Sequence, residues 1–149
     1  MPALQQKTAG FTAIEILLVV SMLSVFTVAA VPALRTLVLQ SDLENASAAS
    51  AQAIRRAQFL SQAVDGDTSW GVSFSSGGAV IFQGESFAAR NPAFDELETF
   101  SGALTLTGLS EIVFTKFTGL PQQTGTITIT AQDNATRIIT IRGKGTIER

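Results

Sequence analysis

The 149-residue chain carries a net charge of −2 and 46% apolar residues, enough for one compact body with an appendage and too little for two full-sized domains. It contains no His and no Cys, which removes disulfides, thiolate or imidazole metal sites, and Ser-His or Cys-His nucleophile pairs. The small net charge gives no global basic field for nucleic acid or anionic lipid, so any such attraction has to be local.

The chain opens with MPALQQKTAG, which holds Lys7 and no acid, and continues with FTAIEILLVVSMLSVFTVAAVPAL over 11–34, where Glu15 is the only charge. At about 1.5 Å per residue this run matches a hydrocarbon core of about 30 Å, and predicts a transmembrane helix whose start stays in the cytoplasm. An ordinary secretory signal would place its small-residue cleavage site after the apolar run, near VAAVPALR at 28–35. That reading leaves Glu15 unexplained, because a carboxylate at the centre of an apolar span costs roughly 2.5–3.5 kcal/mol on insertion scales and such groups usually face a partner.

These residues carry a resemblance. KTAG followed by FTAIEILLVV resembles the class III leader of prepilins, with a basic residue, Gly before the cut, Phe after it and Glu five residues into the mature chain. The resemblance implies that prepilin peptidase removes leader residues 1–10 by cutting between Gly10 and Phe11 and N-methylates Phe11. It also implies a single-pass place in the bacterial inner membrane with the head outside the cytoplasm, in contact with membrane lipid before assembly and then in a pilus or pseudopilus. A very small residue at position 10 suits protease approach to the backbone. Cleavage creates an α-amino group on Phe11 one turn from Glu15. In low dielectric a pair at about 4 Å is favoured over either ion alone, with a modest net gain after desolvation. Glu15 is therefore expected to set register by meeting the Phe11 amino group of a neighbouring subunit. Pro32 stands 22 residues into the mature chain, where pilins commonly have a proline, and is expected to kink the helix by freeing the carbonyl of Val28.

Beyond Arg35 the apolar residues Leu39, Leu43, Ala46, Ser50, Ala53, Ala57, Leu60 and Val64 recur at spacings of three and four, which predicts an amphipathic continuation over 35–64 with Arg55 and Arg56 in solvent. Asp65-Gly66-Asp67 is the expected stop, with Gly66 as a left-handed cap. From residue 65 the remainder, 65–149, reads as a β-rich head. TSWGVSFS, AVIFQG, ALTLTG, EIVFTKF, TITITA and TRIITIRG predict about six strands, and 85–99 reads as a loop with a short helical turn. The predicted class is α+β, a type IV pilin-like fold with a long N-terminal helix, transmembrane half plus amphipathic half, packed on a mostly antiparallel sheet.

The element order resembles the GspH/FimT-like branch of pilins, on RRAQFLSQAV, Trp70-Gly71, IVFTKFTGLPQQTGTITIT and RIITIRGKG. Major pilins commonly close a C-terminal loop with a disulfide, which a chain without Cys cannot form, so the resemblance points to a minor pilin or pseudopilin that initiates or caps a filament for protein secretion. Its partners would be prepilin peptidase and other subunits, with no enzyme activity and no cofactor or metal.

Other chemistry has weaker support. Asp65, Asp67 and Ser69 open like a calcium loop, yet Trp70 stands where Gly is needed and Ser76 where Glu is needed. Asp95, Glu96 and Glu98 read as a solvated loop rather than an acid/base set. Arg137, Arg142, Lys144 and Arg149 gather cations near the C-terminus. Some FimT-like minor pilins bind DNA through C-terminal arginines, so DNA capture is the alternative function. A charged strand edge is the simpler account. A third reading is an enzyme or sensor tethered by an uncleaved helix.

Overall fold

A computed structural model describes residues 10–148, with backbone only at 29–33. The described chain divides into two compact units between Thr36 and Leu37.

Helix α1 runs Ala13–Gln62 and belongs to both units. Thr12 starts it: its hydroxyl accepts the Glu15 N–H at 3.3 Å while its carbonyl accepts Ile16 N–H at 3.2 Å. Thr-x-x-Glu is the sequence pattern of a capping box, so part of what places Glu15 here is helix initiation. In the first unit the apolar side chains of α1 are exposed all round, from Ile14 to Val28.

The membrane-crossing half of the predicted fold is corrected here, and with it the single-pass inner-membrane location. Among the described residues no helix is long and apolar enough to cross a membrane. The predicted kink at Pro32 concerns a side chain outside the described residues.

The second unit contains the rest of α1 and eight described strands: β1 (Trp70–Ser75), β2 (Gly78–Gln83), β3 (Asn91–Thr99), β4 (Leu104–Gly108), β5 (Glu111–Phe114), β6 (Gly125–Ala131), β7 (Thr136–Ile141) and β8 (Ile147–Glu148). They form two four-stranded sheets, ordered β3-β2-β1-β5 and β4-β6-β7-β8, with every pair antiparallel. All six predicted strand segments are strands, but the β region is two sheets rather than one.

Period-two alternation explains the core. Val72 and Phe74 of β1, Ala79 and Ile81 of β2, and Ile112 and Phe114 of β5 face the same cluster as Ile127 and Ile129 of β6 and Ile139 and Ile141 of β7. Leu43, Ala46, Ala53, Ile54 and Ala57 of α1 join that cluster. The buried face of α1 is wider than the predicted stripe, since Ser47, Ala51, Ile54 and Ser61 are buried too. Small side chains over 46–53 let the helix backbone approach close, and Arg55 and Arg56 stay exposed.

Ser61 ties α1 to the first sheet. Its hydroxyl accepts the Trp70 N–H at 3.0 Å and donates to the Phe114 carbonyl at 3.1 Å. Ser47 and Ser50 are equally buried, and among the described residues their hydroxyls have no partner.

The helix stops at Gln62, two residues before its predicted end, and Val64 is the first residue with left-handed backbone, at φ 57°. Gly66 follows at φ 65° inside a 3-10 turn, Asp65–Asp67. A Cβ at Gly66 would lie 2.0 Å from Nε2 of the buried Gln83, so that side chain would have to shift to admit one.

The largest departure is at 85–99. Asn91–Thr99 is the nine-residue strand β3. It lies at a sheet edge, largely exposed on both faces, so no alternation marks it. The segment before it folds over the face of the first sheet that points away from the main core. Phe87 meets the buried Phe82 ring edge-on at 5.6 Å, and its N–H donates to Glu111 Oε1 at 3.0 Å. The Arg90 guanidinium lies 3.8 Å over the Phe87 ring while its Nε pairs with Asp95 at 2.8 Å. Phe82 also covers its cross-strand partner Gly71.

Candidate functional site

The prepilin-like residues gather where α1 begins. Gly10 and Phe11 precede the helix in non-helical backbone and are exposed, and the Phe11 side chain is 82% accessible. The Gly10–Phe11 bond therefore lies two residues ahead of the first helical residue, outside the helix and accessible. Thr12 remains on the product side, so the cut would leave the cap of α1 in place.

Glu15 borders a shallow apolar groove formed with Phe11, Ile16, Val19 and Val20. The remaining polar side chains of this stretch fold back on their own helix. Ser21 donates to Leu18 O, Ser24 to Val20 O and Thr27 to Leu23 O, each at 2.8 Å. These bonds satisfy the hydroxyls internally and leave an outer surface that is apolar apart from Glu15. A contiguous apolar surface of this kind is unfavourable in water and marks a surface that another molecule covers.

Among the described residues the C-terminal cations do not form a free basic patch. Arg137 of β7 is held by Glu44 of α1 through both Nε, at 2.8 Å, and Nη2. Arg142 pairs with Glu148 of β8 at 2.7 Å. Lys144 is exposed in the turn between β7 and β8 and makes no ion pair among the described residues. Arg149 lies outside the described residues. With two cations neutralised internally, few phosphate contacts remain, and nonspecific affinity falls with their number.

The acid-rich segments are also accounted for. Asp67 is paired with Lys116 at 2.7 Å, which takes the carboxylate a calcium loop would use, and among the described residues no cluster suits a metal ion. Asp95 is held by Arg90. Glu96 is clamped from α1 by Arg56, with Nε to Oε2 at 2.5 Å and Nη2 to Oε1 at 2.7 Å. The hydrogen bonds from Arg56 hold the Glu96 carboxyl below its usual range, and Glu96 in turn raises Arg56. These pairs fasten β3 and the Phe87 strap rather than poise a proton.

Compared with protein-family models, curated proteins and solved structures, the chain matches none of them. Sequence reasoning did not single out the loop at 115–120. It carries Phe117 with left-handed backbone, at φ 68°, and an exposed ring. The alternating signal of EIVFTKF ran through Phe117 as though the strand continued, whereas β5 ends at Phe114.

Proposed function

We propose that this chain is a structural subunit of a filament of the type IV pilin and type II secretion pseudopilin class, a minor subunit that initiates or caps assembly for protein secretion. In this reading prepilin peptidase cuts between Gly10 and Phe11 and N-methylates Phe11. The observation that carries it is the coincidence of KTAG-FTAIE with the start of an apolar helix whose side chains are exposed all round. Parallel helices from sister subunits would bury that surface, and at about 25 cal/mol per Å² even a few hundred Å² per neighbour gives several kcal/mol. Glu15 then serves twice. Its backbone N–H donates to the Thr12 hydroxyl that caps the helix within the chain, and its carboxylate, left in an apolar groove, meets the Phe11 amino group of a neighbour. A subunit of this kind makes and breaks no covalent bond itself.

Co-expression with prepilin peptidase and sister subunits, followed by intact-mass analysis and electron microscopy, tests the proposal. The expected product begins at N-methylated Phe11 and enters filaments. Gly10→Leu stays uncut, and Glu15→Leu is cut but left out of filaments. A product that keeps Met1, or Glu15→Leu entering filaments at the wild-type level, refutes it.

A further inference from the structure

The chain contains the acceptor pattern for N-linked sugar, Asn-X-Ser/Thr with X other than Pro, at Asn45-Ala46-Ser47 and at Asn134-Ala135-Thr136. The remaining Asn, Asn91, is followed by Pro92. So short a pattern recurs by chance, and the fold decides which copy an enzyme can use. The pattern needs amide and hydroxyl together, so both side chains have to be reachable.

The first copy fails that requirement. It lies within α1, where Asn45 is exposed but Ser47 is 1% accessible and packed beneath the helix. Reaching its hydroxyl would mean lifting α1 off the core.

The second copy meets it. Asn134 stands in the tight turn of the β6–β7 hairpin, and Thr136 is the first residue of β7. The turn is braced from within by its own backbone. Ala131 N–H donates to Ala135 O and Asn134 N–H to Ala131 O, each at 2.9 Å, and Ala135 N–H donates to Asp133 Oδ1 at 3.1 Å. Asn134 has left-handed backbone at φ 65°, a form that Asn tolerates better than most residues with a side chain. Both Asn134 and Thr136 are exposed, and neither the Asn134 amide nor the Thr136 hydroxyl makes a hydrogen bond among the described residues. Exposed tips of this kind accept added bulk, because no packed atom has to move.

The space beside the tip suits a sugar. A groove of about 450 Å³ runs from Ala135 and Arg137 to Leu37, Gln40, Ser41 and Glu44 of α1, a volume in the range of small-molecule sites. It offers amide, hydroxyl and charged hydrogen-bonding groups next to an apolar side chain, as the hydroxyls and the C–H face of a sugar ring require.

We infer that Asn134 is an acceptor for N-linked glycosylation, with an oligosaccharide carried on a lipid diphosphate as the donor. In the transfer Asn134 Nδ2 attacks C1 of the first sugar and an N–C1 bond forms. The bond from C1 to the diphosphate oxygen breaks, and the lipid diphosphate leaves with that electron pair. One Nδ2 proton passes to a base of the transferase, and nothing is oxidised or reduced. Thr136 supplies the hydroxyl by which the transferase reads the site, and the first sugar lies at the mouth of the groove. The assignment goes beyond the filament reading and stands apart from it, since a glycosylated chain that enters no filament leaves it intact.

The test is made on the full-length protein purified from its own cells, by intact mass and by tandem mass spectrometry of the peptides that hold Asn45 and Asn134. The expected mass exceeds that of the polypeptide by one oligosaccharide, carried on Asn134, with Asn45 bare. Asn134→Gln and Thr136→Ala, expressed in the same cells, lose the added mass, whereas Asn45→Gln and Thr136→Ser keep it. The two Thr136 variants alter the same strand position, so their difference reads the hydroxyl, and fluorescence of Trp70 verifies that both are folded. A bare Asn134 in the cellular protein, a glycan on Asn45 instead, or an added mass that survives Thr136→Ala overturns the assignment.

Discussion

Replacing Ser61 and Ser50 separately by Ala applies the same chemical change at two fully buried positions of α1 and should move stability in opposite directions. At Ser61 the hydroxyl is the acceptor for Trp70 N–H and a donor to Phe114 O. Its removal leaves a buried backbone donor unpaired, at a cost of about 1–3 kcal/mol, set against about 0.5 kcal/mol from the better helix propensity of Ala. Ser50 makes no hydrogen bond among the described residues, so its removal relieves a desolvated hydroxyl and gains the same propensity term. We therefore expect Ser61→Ala to lose about 1–2 kcal/mol and Ser50→Ala to be neutral or up to about 1 kcal/mol more stable, a gap of about 2 kcal/mol. Urea unfolding followed by fluorescence suits the measurement, because Trp70 is the single Trp of the chain and one of the Ser61 partners. The midpoints should separate with no change in slope. Equal midpoints for the two variants, or Ser50→Ala as the less stable of the pair, would refute the reasoning.

Two further outcomes can be checked in the same way. Gly71→Ala places a Cβ 2.5 Å from Phe82 Cζ and 2.7 Å from the backbone carbonyl of Ile112. The ring can swing but the carbonyl cannot, so thermal unfolding should show a loss of about 1–3 kcal/mol. Glu96 has its carboxyl pKa lowered in the folded state, chiefly by hydrogen bonds from Arg56. The stability it contributes is therefore fully present above the ordinary value of 4.5 and is lost as pH falls through the depressed folded value. Wild type should exceed Glu96→Gln in stability near neutral pH and converge on it in acid; a gap that persists or widens as pH falls would contradict the assignment.

Legibility in the sequence followed burial. The six strands read from TSWGVSFS to TRIITIRG alternate because one face of each meets the core, so hydrophobicity marks every second residue. Strand β3 has no such face. Phe94, Leu97 and Glu98 are all exposed, and what keeps the segment extended is a long-range set of contacts: pairing to β2, the Arg56 clamp from α1 and the Arg90–Asp95 pair. None of these is marked locally in the sequence. The same limit hid the left-handed backbone of Phe117, which depends on Ser61, 56 positions earlier in the chain.

The leader-like segment behaves in the opposite way, because its pattern is local by nature. Thr12 to Glu15 fixes where the helix starts, and the Gly10–Phe11 bond is left outside it as a consequence. Helix initiation alone accounts for a Glu at N3 but not for a groove of Phe11, Ile16, Val19 and Val20 around it. A capping box works equally well on a solvated helix, whereas an all-round apolar surface that has already satisfied its own hydroxyls leaves the Glu15 carboxylate as the one charged group among the described side chains of 11–28. Covering that surface with like helices would bury the carboxylate unless a cation arrived with them. In the proposed reading, cleavage at Gly10 would supply one per subunit, so processing and assembly would answer the same electrostatic requirement.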